Sequence, residues 1–217
     1  AEVRAAAEKI GFPLILKPID GAGSADTYRC GDQAELDAAI KATRHVREAS
    51  CEEFIEGEEF TFDCISIDGT PAYENIASYL PKPIEARSYE WISPVIITVR
   101  DMYQPRLMPG VELGRNVLKA LNMGDGFTHM EWFLTPKGEA VFGEIGCRPG
   151  GAHLVDQMNY TSDVDLFREW ARVATERRYD GPRDRKYNVG IVFKRALGQG
   201  RRSEEHTSEL QSHSDLV

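Results

Sequence analysis

The chain has 217 residues, enough for one large domain or two small ones around a substantial core. Hydrophobic residues make up 41% and charged residues 28%, which argues against a disordered protein, a collagen-like repeat or a disulfide scaffold. Net charge is −9, with 35 acids against 26 bases, the reverse of the balance in a general nucleic-acid binder, and no apolar run is long enough to span a bilayer. Cys30, Cys51, Cys64 and Cys147 are too scattered for a zinc site or a redox pair, so a cytoplasmic protein with reduced thiols is expected, with no membrane or nucleic-acid partner.

In chain order, a helix is expected over 1–10, beginning at once and without a start methionine, as in a segment of a longer protein. A buried strand follows at Leu14–Pro18, a small-residue loop at Asp20–Ala25 and a strand at Thr27–Cys30. Asp32 and Glu35 form a capping box for a helix running to about Val46. Strands are expected at Cys51–Ile55, Phe60–Ile67 and Pro71–Tyr79, then a loop over Leu80–Trp91 and a strand at Val95–Val99. Val111–Leu121 is a helix, Phe127–Leu134 and Glu139–Ile145 a hairpin, Asp163–Arg178 an amphipathic helix and Asn188–Arg195 a last strand. Hairpins outnumber βαβ alternation, so the fold class is α+β with antiparallel sheets. Arg202–Val217 is polar and aperiodic, and it matches the translation of a common short-read sequencing adapter through Ser212, resuming in frame at Asp215. A genomic read across the Arg201 codon is expected to diverge from this sequence.

Three segments carry chemistry. In the hairpin FTHMEWFLTPKGEAVFGEIGCRPGG, a four-residue turn at Thr135–Gly138 sets Glu131 opposite Phe142 and His129 opposite Glu144. Strand alternation then places His129, Glu131, Phe142, Glu144, Gly146 and Arg148 on one face, with Cys147 facing away. Glu131 and Glu144 become diagonal neighbours roughly 7–8 Å apart, able to hold a hard cation such as Mg2+ or Mn2+ between them. Arg148 offers a planar fork for phosphate or carboxylate, and Gly150 and Gly151 allow close approach of backbone to ligand. Second, Lys17 ends the apolar strand LILKP beside a loop holding Gly21, Gly23 and Ser24, an arrangement suited to covering phosphates, although it is no Walker A motif. Third, in CEEFIEGEEF, Phe54 and Ile55 wall a base while the backbone around Glu53–Ile55 reads its edge. There Glu52 accepts from an exocyclic amine and Glu59 from ribose hydroxyls. Each segment taken alone also reads as solvated surface.

Together and in this order, the three segments resemble the ATP-grasp superfamily over most of residues 1–200. The resemblance implies an α+β ATP-grasp fold, with a small lid subdomain over 1–56, a larger antiparallel core over 57–200, and ATP between them. It implies that Lys17 contacts the phosphates, that Gly21, Gly23 and Ser24 belong to the lid loop, and that Glu52, Glu53, Phe54 and Ile55 form the adenine edge. Glu59 is implied as the ribose acid, Glu131 and Glu144 as the metal acids, and Arg148 as the basic residue beside the transferred phosphoryl group. Many members carry Asn where Gly146 stands, so water, His129 or nothing takes that ligand's place. The implied activity is an ATP- and Mg2+-dependent ligase, incomplete as this segment, that forms an acyl phosphate on a small carboxylate and joins it to an amine. Two alternatives stand beside it: a bicarbonate-using enzyme like biotin carboxylase or carbamoyl-phosphate synthase, and a nucleotide-binding module without turnover. His129 is a candidate partner for Glu144, while the Leu80–Trp91 loop, with Arg87 and Tyr89, and the segment His153–Tyr160 are candidate substrate contacts.

Overall fold

A computed structural model describes residues 2–19, 26–89 and 91–194, the Arg87 side chain excepted. The loop with Gly21, Gly23 and Ser24 therefore lies outside the described residues, as does the adapter-like tail. The first sheet has three antiparallel strands in the order β2 (Tyr28–Cys30), β1 (Leu14–Pro18), β3 (Ala49–Glu53). Leu14, Leu16 and Cys30 pack on one face against helices α1 (Glu2–Ile10) and α2 (Gln33–Ala42), joined by Ala7, Leu36 and Ala39. Strand alternation sends Ile15 and Lys17 to the other face. Asp32 caps α2, its carboxylate accepting from the Glu35 N–H at 2.9 Å. Glu35 reaches back to the Gly31 N–H at 2.6 Å, one residue before the cap, so the capping box closes one position earlier than in its usual form.

The second sheet has six antiparallel strands, β8 (Ala140–Gly146), β7 (Gly126–Leu134), β4 (Glu58–Ile67), β5 (Thr70–Leu80), β6 (Val95–Thr98) and β9 (Val189–Val192). Its central strand β4 alternates: Phe60, Phe62 and Cys64 face one side, Glu59, Thr61 and Asp63 the other. The apolar side joins Met130, Trp132 and Leu134 of β7 in a core closed by Val111 and Leu118 of helix α4 (Met108–Ala120). On the opposite side Ile65, Tyr73 and Phe127 pack under α5 (Leu154–Ser162) and α6 (Leu166–Glu176). The polar line Glu59–Thr61–Asp63 continues that second side beyond the apolar patch. Among the described residues no helix is long and apolar enough to cross a membrane.

Two segments differ from the sequence expectation. The expected loop Leu80–Trp91 contains the short helix α3 (Pro83–Ser88), with proline at the start, where its missing N–H costs nothing. The segment His153–Tyr160 lies mostly in α5, which ends at Asp163 in a left-handed conformation (φ 51°). The next helix starts at Leu166, later than expected, because the Asp165 carboxylate caps it by accepting from the Arg168 N–H.

Gly110 of α4 sits where a Cβ would enter the Trp132 ring, itself stacked on Phe60 with centroids 4.9 Å apart. Alanine in a helix interior normally gains about 0.5–1 kcal/mol over glycine. Here Gly110→Ala is expected to cost about 1–3 kcal/mol instead, because the buried indole has to move. Urea denaturation should show a lower midpoint with an unchanged m-value.

Candidate functional site

The hairpin β7–β8 brings Glu131 and Glu144 together, with a register unlike the expected one. Leu134 faces Ala140 and Trp132 faces Phe142, so the turn holds one residue more than the four expected. A bulge follows at Gly143, after which Glu131 lies directly opposite Glu144 and His129 opposite Gly146. The two acids are thus cross-strand partners and not diagonal ones, and Phe142 belongs opposite Trp132. Gly143 is needed at the bulge, since a Cβ there would lie 2.8 Å from the Glu131 carbonyl oxygen.

Lys17 reaches this pair from the other sheet. Its Nζ lies 3.2 Å from Glu144 Oε2 and 3.1 Å from Glu52 Oε2. Burial alone would lower the pKa of Lys17, but Glu52 and Glu144 outweigh it and hold the ammonium above its ordinary range. Glu52 Oε1 also accepts from the Ser50 hydroxyl at 2.6 Å, which orients its other oxygen toward Lys17. Phe54 carries the Arg29 guanidinium 4.7 Å from its ring centroid and the Lys82 ammonium at 5.7 Å. Within the Glu53–Ile55 backbone the Phe54 N–H is donated to the Pro13 carbonyl at 3.2 Å.

Glu131 is held from two sides: the Tyr79 hydroxyl donates to Oε1 at 3.1 Å, and His129 Nε2 lies 3.7 Å from the same oxygen. Burial pushes the Glu131 pKa up, yet His129, Tyr79 and Lys17 overcome it and keep the carboxyl below its ordinary range. His129 has its Nδ1 on Asp63 Oδ1 at 2.7 Å, so its partners are Asp63 and Glu131, not Glu144. Burial opposes its charge, but the two carboxylates prevail and raise its pKa to about 10. Glu59 is buried, and burial together with the Glu131 and Glu144 charges lifts its carboxyl to about 8, against Lys82 and Lys17. The Arg148 side chain folds over Gly146, and Nη1 donates to the Pro149 carbonyl at 2.9 Å. The space left by the missing Gly146 Cβ admits that side chain, two residues along the strand from Glu144. Asp63, Tyr79 and Lys82 were missed; the alternation in EEFTFDC was the available signal for Asp63.

A Mg2+ ion commonly takes one or two protein carboxylates and fills its octahedron with phosphate oxygens and water. The facing Glu131 and Glu144 match that donor set. Among the described residues no cluster of three or more His, Cys, Asp or Glu side chains makes an all-protein cage. The residues therefore fit a hard cation that arrives with phosphates.

Residues 10–156 match the family model of the ATP-grasp domain. The L-arginine-specific L-amino acid ligase of Bacillus subtilis is 25% identical over 81% of this chain and 43% of its own length. A D-alanine–D-alanine ligase of Bacillus cytotoxicus is 27% identical over 78% of this chain and 49% of its own. The crystal structure of the L-amino acid ligase from Bacillus licheniformis superposes with a TM-score of 0.74 at 21% identity, covering 94% of this chain and 51% of that one. A likeness of that kind shows the fold, and the chain spans about half the length of these relatives.

The buried Glu59 predicts a pH signature. In the unfolded chain its carboxyl ionises near the ordinary 4.5, whereas in the folded protein it keeps its proton to about 8. The stability this proton supplies is complete below the lower value and is lost as pH rises through the upper one. Glu59→Gln, which cannot ionise, is expected to melt several degrees higher than the unaltered chain at about pH 9 and to match it near pH 4. Thermal melts of both proteins across that range check this.

Proposed function

The chain belongs to the ATP-grasp domain family, and from that premise we propose that the protein it comes from is an ATP-dependent carboxylate–amine ligase. The observation that carries the reading is the Lys17 ammonium resting on Glu144 where the two sheets meet, beside the facing Glu131. In this reading residues 1–56 are the lid and 57–200 the core. Adenine lies along Glu52–Ile55 against Phe54 and Ile55, and Glu59 accepts from the ribose hydroxyls.

Glu131 and Glu144 would hold Mg2+, which supplies positive charge against the triphosphate. Lys17, which rests on Glu144, would turn to the phosphates when nucleotide is bound. The γ-phosphoryl group passes to a substrate carboxylate, and the amine nitrogen attacks the acyl phosphate carbon and expels phosphate. No protein nucleophile is required, since the work is positioning and charge stabilisation. Arg148 reaches the transferred group by rotating off Gly146. The names of the relatives support small amino-acid-like substrates. Four unpaired cysteines suit a reducing compartment, and we place the enzyme in the cytoplasm.

In the full-length protein, ADP release is expected to require Mg2+, a carboxylate and an amine together. Glu144→Gln should lower it by at least about a hundredfold. Turnover with bicarbonate in place of an organic acid, or tight ATP binding without turnover under every substrate mixture, would overturn the reading.

A further inference from the structure

We propose that Asp63 and His129 form a buried positioning pair that fixes the Glu131 carboxylate for its cation. The inference rests on the magnesium reading above and deepens it. The Asp63 side chain is 1% exposed and that of His129 8%. Both Asp63 oxygens are engaged, Oδ1 by His129 Nδ1 at 2.7 Å and Oδ2 by the Thr61 hydroxyl at 2.7 Å, so the carboxylate cannot turn. The imidazole, anchored at Nδ1, presents Nε2 toward Glu131 Oε1 at 3.7 Å, the oxygen that also accepts from Tyr79. Both contacts fall on one Glu131 oxygen. That leaves the other, Oε2, as the oxygen for the cation in this reading.

The register enforces this order. Asp63 faces His129 across β4 and β7, Thr61 faces Glu131, and Glu131 faces Glu144 across β7 and β8. The chain after β8 packs against the imidazole at Nδ1, where a Cβ at Gly150 would lie 3.1 Å from that nitrogen and 2.8 Å from Leu154 Cδ1. Gly150, expected to admit a ligand, thus admits the His129 ring. A charged pair buried in a sheet face gives little net stability, and an apolar pair fills such a place at lower cost. Partners that orient a metal ligand, by contrast, commonly change metal affinity 10–100-fold.

The test titrates Mg2+ into the full chain with ADP and reads the half-saturating concentration by calorimetry, with ADP affinity in EDTA measured beside it. In Asp63→Asn and His129→Gln the Mg2+ requirement is expected to rise about tenfold or more while metal-free ADP affinity stays put. The double variant should be no worse than either single one, as for groups acting as a unit. Gly150→Ala, whose Cβ presses on the Nδ1 that bonds Asp63 while leaving both members of the pair in place, should raise the requirement too and serves if either single variant fails to fold. Val173→Ala opens a cavity in the core under α6 and should lower Tm without moving the Mg2+ requirement. An unchanged requirement in the Asp63, His129 and Gly150 variants, with Glu131→Gln abolishing the Mg2+ effect, would overturn the pairing and leave the magnesium reading intact. A Mg2+ effect that survives Glu131→Gln, or is absent from the unaltered chain, would overturn both. A nitrogen coupling in the spin echo of Mn2+ bound in place of Mg2+ would make His129 a ligand itself and overturn the positioning role.

Discussion

The Lys17 ammonium ties the three-stranded sheet to the six-stranded one by resting on Glu52 of the first and Glu144 of the second. The apolar cores do not make this connection: one is built from Leu14, Leu16 and Leu36, the others from β4 through β9 and their helices. Where hydrophobic burial fixes each body separately and an ion pair with an exposed carboxylate joins them, the junction is weaker than what it joins. It is also the kind of junction that another charged species can enter. The relative placement of the sheets is thus sensitive to whatever neutralises Glu52 and Glu144, and packing within each sheet is not.

A second constraint follows from the burial of carboxylates on one face of β4 and β7. Glu59, Asp63 and Glu131 share a side of the sheet with apolar residues only a few positions along, and buried charge has to be answered. The structure answers each differently. Asp63 receives an imidazole and a hydroxyl, Glu131 an imidazole and a phenol, and Glu59 keeps its proton. Three carboxyls of like chemistry therefore stand in three states, set by neighbours supplied from β4, β5 and β7.

Most of the architecture was legible in the residue pattern. The strands expected at Leu14–Pro18 and Phe60–Ile67 and the helix capped by Asp32 are all found close to their expected places. The helix α3 was hidden because two prolines and mixed charge read as loop, although proline at a helix start is favourable. Glu131, Glu144 and Lys17 were visible as candidates, but their mutual placement was not. Turn length and a bulge together decide what faces what, and neither has a periodic signature. The partner of His129 was misassigned for the same reason, since a slip of register exchanges Glu144 for Gly146 across the strand. Asp63 was overlooked because a lone acid in an apolar strand reads as a solvated residue until the strand is known to be central.

The bulge at Gly143 bears on how this hairpin can change through evolution. The pairing of Glu131 with Glu144 depends on the sum of loop length and bulge count, not on either alone. An insertion or deletion at the solvent end of the hairpin can be absorbed by gaining or losing one extruded residue nearer the acids, with the carboxylates kept face to face. Relatives that differ in spacing between these two glutamates can therefore share the same ligand geometry, and an alignment that places its gap in the turn alone would pair the wrong residues. The narrow passage beside the Glu131 carbonyl sets the condition: a Cβ on the extruded residue would lie 2.8 Å from that oxygen, so such a bulge favours glycine.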